Sequence, residues 1–389
     1  MAAAVEHAHE LLEQEVVERA GDRYGRWDGR QGHRNGTAPG YVVVGGRKVC
    51  IRRPRLVDAE GREVDLESYA ALQAPETLNA TALRKVIEGV AQRGVDAGLQ
   101  QDQPLPEEER AYGASRSSVS RRWIAATAAD LEAQGARGLA GQRFLAILLD
   151  GKGFGEHLLL AAMGIDEQGD KHILGVWEGD SENAEVAKAA LEDLNTRGLD
   201  VTGGVLVVID GGKSLAAAVR DLWGDVAVVG RCRAHKSRNI LKHLPKSEHS
   251  WVLAVLWQAW HEPDAKQAEA DLQQLVSELE AKWPDAAASL REGLAETLTC
   301  QALGLPPELV RALGTTNLIE NAFSTTESIC HRVCRWRTGA QAMRWATMAL
   351  LKAERGFAPV ASPAQMAVLA EALADCVERR AAATERAAG

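Results

Sequence analysis

"VLVVIDGGKSL", residues 205–215, admits two chemistries. An apolar run ends on Asp210 and passes straight into Gly211-Gly212-Lys213-Ser214. The tail suggests a phosphate-binding loop. The carboxylate at the end of an apolar run suggests a metal ligand. A phosphate loop needs Gly-x-x-x-x-Gly-Lys-Ser/Thr, because a stretch of backbone N–H groups must wrap the phosphates. Counting back from Gly212, the first glycine belongs at residue 207, which is Val207, inside the predicted strand. The loop has no length to wrap anything, so the nucleotide reading fails.

The metal reading has a partner. "FLAILLD", residues 144–150, is a second apolar run that ends on a carboxylate, Asp150. Runs apolar almost throughout predict strands buried on both faces. Between and around them the pattern alternates. Residues 143–150 predict a strand, and 157–179 predict two strands joined by a turn at 166–170. Residues 181–198 predict a capped amphipathic helix, 204–210 a strand, 213–223 a helix and 225–232 a strand. The order β-β-β-α-β-α-β gives a mixed sheet with parallel additions. It is the order of a ribonuclease-H-like core.

In that order the first and fourth strands are neighbours, so Asp150 and Asp210 emerge together at one sheet edge. Two carboxylates a few Å apart raise each other's pKa, and a divalent cation such as Mg²⁺ relieves the repulsion. The competing reading is that each Asp caps the turn that follows it. Glu320 is the candidate third carboxylate. Asn317-x-x-Glu320 also fits a capping box, in which Glu320 satisfies a helix-start amide. Periodicity does not choose between the two.

The remaining chain divides by composition. Residues 1–20 predict a helix, and the amphipathic, acidic start lacks the basic and apolar regions of a secretory leader. "YVVVGGRKVCIRRPRL" predicts a short hairpin with a Gly-Gly turn. Two helical stretches follow, residues 78–95 and 112–134. The second opens with "SRSSVSRRW", so the pair suggests a helix-turn-helix with Arg121 and Arg122 on the DNA side. A Ser-rich start is also an ordinary helix cap. Residues 234–313 are helical and carry Trp251, Trp257, Trp260 and Trp283, either as core or as a surface on which a flipped base stacks. Residues 315–336 predict a further helix, and 340–384 a last helical region.

Composition sets outer limits. The chain has 389 residues, of which 46% are hydrophobic and 25% charged, which is ordinary for a globular protein of more than one domain. No run of about 18 apolar residues occurs, so no membrane span is expected. Six cysteines in a chain this long make no disulfide framework, which predicts a reducing cytoplasm. The net charge of −9 argues against a nucleic-acid partner only as an average. Residues 23–55 hold nine Lys and Arg against one acid, Asp28, and two more basic runs follow. One comprises Arg231, Arg233, Lys236, Arg238 and Lys242. The other comprises Arg332, Arg335, Arg337 and Arg344. Such segregation predicts faces that grip a polyanion.

"LLDG", "LGVWEGDSENAE", "VVIDGGKSL", "GRCRAHKSRNIL" and "TTNLIENAFS" occur in this order. Together they resemble the motifs of mutator-type bacterial insertion-sequence transposases. The resemblance covers about residues 140–350 and extends more loosely to the N-terminal third through "HRNG" and "RRPRL". It implies a DDE recombinase. Its core would be ribonuclease-H-like, with an all-helical insertion before the final Glu and a mainly helical N-terminal DNA-binding region. The implied organisation is 1–139 for DNA binding, 140–240 for the first part of the core, 241–313 for the insertion and 314–389 for the Glu helix and the C-terminal helices.

Matched residue by residue, the resemblance makes Asp150, Asp210 and Glu320 both catalytic and metal-binding, with two Mg²⁺ ions, or Mn²⁺ in their place. The family's Cys-x-x-His falls on Cys232 and His235. We expect this pair to be structural or DNA-orienting; half a zinc site completed by Cys330, His331 or Cys334 is the alternative. Lys213, Lys236, Arg238, Asn239, Arg335 and Arg337 are candidate phosphate contacts, with Arg121 and Arg122 in the N-terminal region. The Arg-rich run after the Glu is more scattered here than in the family. The implied activity is cleavage at terminal inverted repeats followed by strand transfer to target DNA, by a homodimer or higher synaptic assembly in a nucleoid-associated cytoplasmic protein. The alternatives are a nuclease of the same core that only hydrolyses and a transposase-derived DNA-binding protein without catalysis.

Overall fold

The computed structural model describes residues 2–23, 25, 30–44, 47–73, 111–112, 116–179, 183–331 and 333–388. The chain forms two compact units, Met1–Ala129 and Asp130–Gly389.

In the first unit, helix α1 (Ala2–Ala20) buries Val5, Ala8, Leu12 and Val16, one face at a spacing of three to four. They pack with Val42, Val49, Ile51 and Leu56 of a hairpin made by β1 (His33–Val44) and β2 (Arg47–Val57). The sequence predicts a short hairpin in a mainly helical region. The observed strands are 12 and 11 residues long, and β3 (Glu63–Val64) and β4 (Ala111–Tyr112) both pair with β2. Helix α2 (Glu67–Leu72) and the part of α3 (Arg116–Gly135) up to Ala129 complete the described elements of this unit. The Gly-Gly turn and the helix predicted over 78–95 lie outside the described residues, so only the second helix of the suggested pair is in view.

The basic bias of this region is partly cancelled in space. Glu13 of α1 pairs with Arg34 at 2.7 Å and Arg23 at 3.5 Å, and Glu63 of β3 pairs with Arg53 and Arg55 at 2.8 and 3.0 Å. The neutralising acids come from outside the stretch that reads as acid-poor.

The second unit is built on five strands: β5 (Phe144–Phe154), β6 (His157–Asp166), β7 (Lys171–Glu178), β8 (Val205–Ile209) and β9 (Ala227–Arg231). Their order is β7-β6-β5-β8-β9. The first three pair antiparallel; β8 lies parallel to β5, and β9 parallel to β8. Helix α4 (Ala184–Thr196), capped by the Asn183 side chain, precedes β8, and α5 (Lys213–Trp223) follows it. Both lie on one face of the sheet with Phe144, Ile147 and Leu149; Leu145, Ala146 and Leu148 belong to the core on the opposite face. Burial on both sides explains why β5 and β8 are apolar without alternation.

After β9 the chain is helical, in the order α6 (Arg233–Leu241), α7 (His249–His261), α8 (Ala265–Glu280), α9 (Pro284–Arg291), α10 (Leu294–Thr297), α11 (Thr299–Ala302) and α12 (Pro307–Leu313). Helices α7 to α10 share a core of their own with the end of α6, around Leu256, Leu272, Leu275 and Leu279. Helices α13 (Asn317–Cys330), α14 (Gly339–Glu354) and α15 (Pro363–Ala388) return to the sheet.

Two helix predictions change. The helix predicted to reach residue 336 ends at Cys330, because Trp336 leaves the helical path to pack edge-on against Phe154, with ring centroids 5.3 Å apart. The predicted last helical region is two helices, interrupted by the segment containing Pro359. Among the described residues, no helix is long and apolar enough to cross a membrane.

Candidate metal centre

The last parallel pair between β5 and β8 is Leu149 with Ile209, so Asp150 and Asp210 are the next residues on each chain. Their paths then differ. Asp210 leaves its strand, as the sequence predicts. Asp150 does not: β5 continues to Phe154, paired with β6, and Asp150 faces Ala161 in that ladder. The carboxylate therefore sits on a continuous strand at the point where its other neighbour drops away.

Gly211 and Gly212 make the turn after Asp210. Gly211 has φ +105°, and a Cβ there would meet the Arg231 guanidinium, which donates to the Gly211 carbonyl at 2.7 Å. The Gly212 N–H donates to Asp210 Oδ1 at 2.9 Å, and α5 begins at Lys213, whose side chain is exposed. The glycines thus serve a tight turn that fixes the carboxylate.

Glu320 lies in the first turn of α13. Thr316 caps this helix without a side-chain bond, its carbonyl accepting from the Glu320 N–H at 2.9 Å. The capping-box reading is overturned: the Glu320 carboxylate points to α6, where Arg238 Nη2 reaches both its oxygens at 3.0 and 3.1 Å. His235 Nδ1 is 3.7 Å from Glu320 Oε1 and 3.4 Å from Thr316 Oγ1. Cys232 Sγ, fully buried, accepts from the Thr316 N–H and hydroxyl, each at 3.3 Å. Cys232 and Thr316 thus tie the start of α6 to the start of α13.

Ligand atoms of Asp150, His235 and Glu320 lie within 4.8 Å of one another, while Asp210 stands beside them. Asp150 is 4% exposed, and its pKa is pushed up to about 6. Burial is the main cause; the charges of Glu320 and Asp210 add to it, and His235 and the Gly151 N–H oppose it. His235 is raised chiefly by its hydrogen bond to Cys232, helped by the charge of Asp150 and opposed by burial and Arg238. Burial pushes the Cys232 thiol up, but its hydrogen bonds from His235 and Thr316 outweigh that and leave it lowered. Two carboxylates and one imidazole near a buried, reluctant third carboxylate, Asp150, fit a divalent cation taking mainly oxygen ligands. The group holds no cysteine, and Cys330 sits in the hydrophobic core with its thiol pushed up to about 12 by burial. Nothing among the described residues completes a zinc site at Cys232.

The basic candidates separate sharply. Lys236 is 1% exposed and donates to the carbonyls of Ser289, at 2.6 Å, and Glu292, which puts it out of reach of a polyanion; burial pulls its pKa down to about 8. Arg231 and Arg233 are likewise buried, donating to the carbonyls of Glu292 at 2.7 Å and Thr297 at 2.9 Å. The second basic run therefore serves mostly as ties from α6 and β9 to the helical insertion. Arg238 and Asn239 stay exposed, with Asn239 Oδ1 accepting from Lys242. Arg335 and Arg337 are exposed on the loop after α13, and Arg121 is exposed and Arg122 half-buried on α3. The sequence put His235 on a metal only in the zinc alternative, and did not place it with the carboxylates or Arg238 on Glu320. The signal was present: a Cys-x-x-His-x-x-Arg spacing at a helix start puts residues three apart on one face.

Of the insertion tryptophans, Trp251 donates to Glu248 at 2.6 Å, Trp260 is buried, and Trp283 packs on the insertion core. Trp257 alone among them is 64% exposed, stacked on His261 with centroids 4.0 Å apart. It lines a cavity of about 390 Å³ with Ala234, Ser237, His261, Arg311 and Asn317.

The second unit thus presents a mixed five-stranded sheet flanked by helices, compatible with a nuclease-like fold, with carboxylates grouped where its parallel strands end. Residues 4–326 match the family described as Transposase, Mutator family, and the chain belongs to that family. It is 34% identical over 177 residues to the transposase for insertion sequence element IST2 of Acidithiobacillus ferrooxidans, covering 46% of this chain and 57% of that protein. It is 30% identical over 219 residues to the transposase for IS6120 of Mycolicibacterium smegmatis, covering 55% and 66%. It is 29% identical over 320 residues to the transposase for ISRM5 of Rhizobium meliloti, covering 80% and 76%. The match thus spans between about half and three quarters of these relatives.

Proposed function

We propose that this chain is a DDE transposase that cleaves DNA at the ends of an insertion sequence and joins the freed 3′-OH to target DNA. The observation that carries the reading is the grouping of Asp150 with Glu320 and His235, from distant parts of the chain, with Asp210 at the end of the adjacent parallel strand and its charge felt by Asp150. The strand order with two parallel additions supports a ribonuclease-H-like core. Asp150, Asp210 and Glu320 would hold two Mg²⁺ ions, or Mn²⁺, which when bound supply Lewis acidity to the attacking and leaving oxygens. Asp150 and Asp210 fix the geometry from adjacent strands, and Cys232 and Thr316 hold His235 and Glu320 in register from two helices. Lys213, Arg238, Asn239, Arg335 and Arg337 contact backbone phosphates, and Arg121 and Arg122 belong to recognition of the terminal repeats. Trp257 is the residue on which an unpaired base stacks. Two ends are paired by a homodimer or larger assembly.

The test incubates purified protein and Mg²⁺ with DNA carrying the element's flanking ends and a target plasmid, and maps the 3′ termini. We expect nicks at the repeat ends and joined products, both abolished by EDTA, Asp150→Ala and Glu320→Gln. Cleavage that survives these substitutions rules out the triad. Cleavage without joined products leaves a nuclease, and end binding without cleavage leaves a DNA-binding protein.

A further inference from the structure

Arg238 occupies both oxygens of Glu320 while its own side chain is 52% exposed to solvent. Glu320 cannot serve fully as a metal ligand in that pairing, although its oxygen already lies within 4.8 Å of ligand atoms of Asp150 and His235. The guanidinium is held through one nitrogen, Nη2, from an exposed position on α6. Its neighbours Arg231, Arg233 and Lys236 are buried and committed to carbonyls of the insertion, so they offer no substitute for it. Within its basic run, Arg238 is the cation that both touches the ligand set and reaches solvent.

We propose that Arg238 is a latch that couples metal loading to DNA. This rests on the metal-centre reading above. Without DNA, the guanidinium holds Glu320 and competes with a divalent cation for it. A backbone phosphate arriving beside the cluster offers two acceptor oxygens to a planar donor fork, a better match than the single-nitrogen contact to Glu320. Arg238 transfers to the phosphate, and Glu320 turns to the cation. Charge balances in both states: guanidinium with carboxylate before, guanidinium with phosphodiester and cation with carboxylates after. Free protein is thereby biased against a loaded centre, and DNA favours assembly of the site it is cut by. A half-exposed ion pair contributes little in water, so the latch opens readily; its removal is worth about two- to fivefold in cation affinity.

The experiment titrates Mn²⁺ into the full chain without DNA, followed by electron paramagnetic resonance. Arg238→Gln is expected to bind Mn²⁺ about two- to fivefold more tightly than the parent. In EDTA, Glu320→Gln is expected to bind a double-stranded oligonucleotide more tightly than the parent, because Arg238 is released, and Arg238→Gln/Glu320→Gln is expected to lose that gain. Equal or weaker Mn²⁺ binding by Arg238→Gln overturns the latch and leaves the metal centre standing. Mn²⁺ binding unaffected by Asp150→Asn overturns the metal centre itself, and the latch with it.

Discussion

Asp150 is a buried carboxylate whose charge the ion-free fold does not compensate. Its pKa in the fold, about 6, lies above the ordinary 3.8, so the ion-free fold binds this proton more tightly than the unfolded chain does. The cost of the buried charge is absent below about pH 4, grows between about pH 4 and 6, and is fully present above that. A shift of about two units corresponds to about 3 kcal/mol. Asp150→Asn therefore raises the thermal midpoint of the protein in EDTA at pH 8 and changes it little at pH 4, while abolishing cleavage. Melting curves at the two pH values check this; equal effects at both contradict it. Lys236 makes the opposite case, a charge that reads as a DNA contact and is instead a tie. Lys236→Met keeps the volume but strands the Ser289 and Glu292 carbonyls, at a cost of about 1–3 kcal/mol. Chemical denaturation should show that loss, with DNA affinity of the folded protein unchanged.

At the scale of elements, the turn between β8 and α5 sets the position of Asp210. Gly211 is left-handed and faces the Arg231 guanidinium, so a side chain meets strain and a clash at once. Gly211→Ala should destabilise by about 1–3 kcal/mol and lower cleavage beyond what the lost stability explains, since Asp210 and Arg231 are both displaced. The comparison is the rate per folded molecule against Gly212→Ala, whose φ is an ordinary −57°. The elements themselves were readable in advance wherever pattern is local. Residues 213–223 form the predicted helix residue for residue, and the turn between β6 and β7 falls at 166–170. Local pattern failed at β5 and α13. The extension of β5 past Asp150 depends on pairing with β6, and the end of α13 depends on Trp336 finding Phe154. Trp336 and Phe154 are far apart in sequence, whereas Phe154 and His157 close a short hairpin whose Gly151-Lys152-Gly153 segment breaks the apolar run and so hid the strand's extension.

Across the whole molecule, the second unit has a sheet with cores on both faces and a third core within the helical insertion. A fragment of residues 130–389 should therefore fold on its own, unfold cooperatively and bind Mn²⁺, since Asp150, Asp210, His235 and Glu320 all lie within it. Thermal unfolding and an Mn²⁺ titration of the fragment test this. A fragment that remains unfolded shows that the first unit is needed for the core.

Sequence alone determined the order of strands and helices in the core, the failure of the nucleotide-loop reading at Val207, the family, and the three carboxylates as candidates. Each follows from local periodicity or from motifs written contiguously in the chain. Only the tertiary structure decided which charges are available. Arg231, Arg233 and Lys236 are spent on backbone carbonyls far along the chain, Glu13 and Glu63 neutralise arginines of an apparently acid-poor stretch, and His235 and Arg238 meet Glu320 across more than eighty residues. The physical reason is that charges interact through space and burial, and neither is a function of distance along the chain.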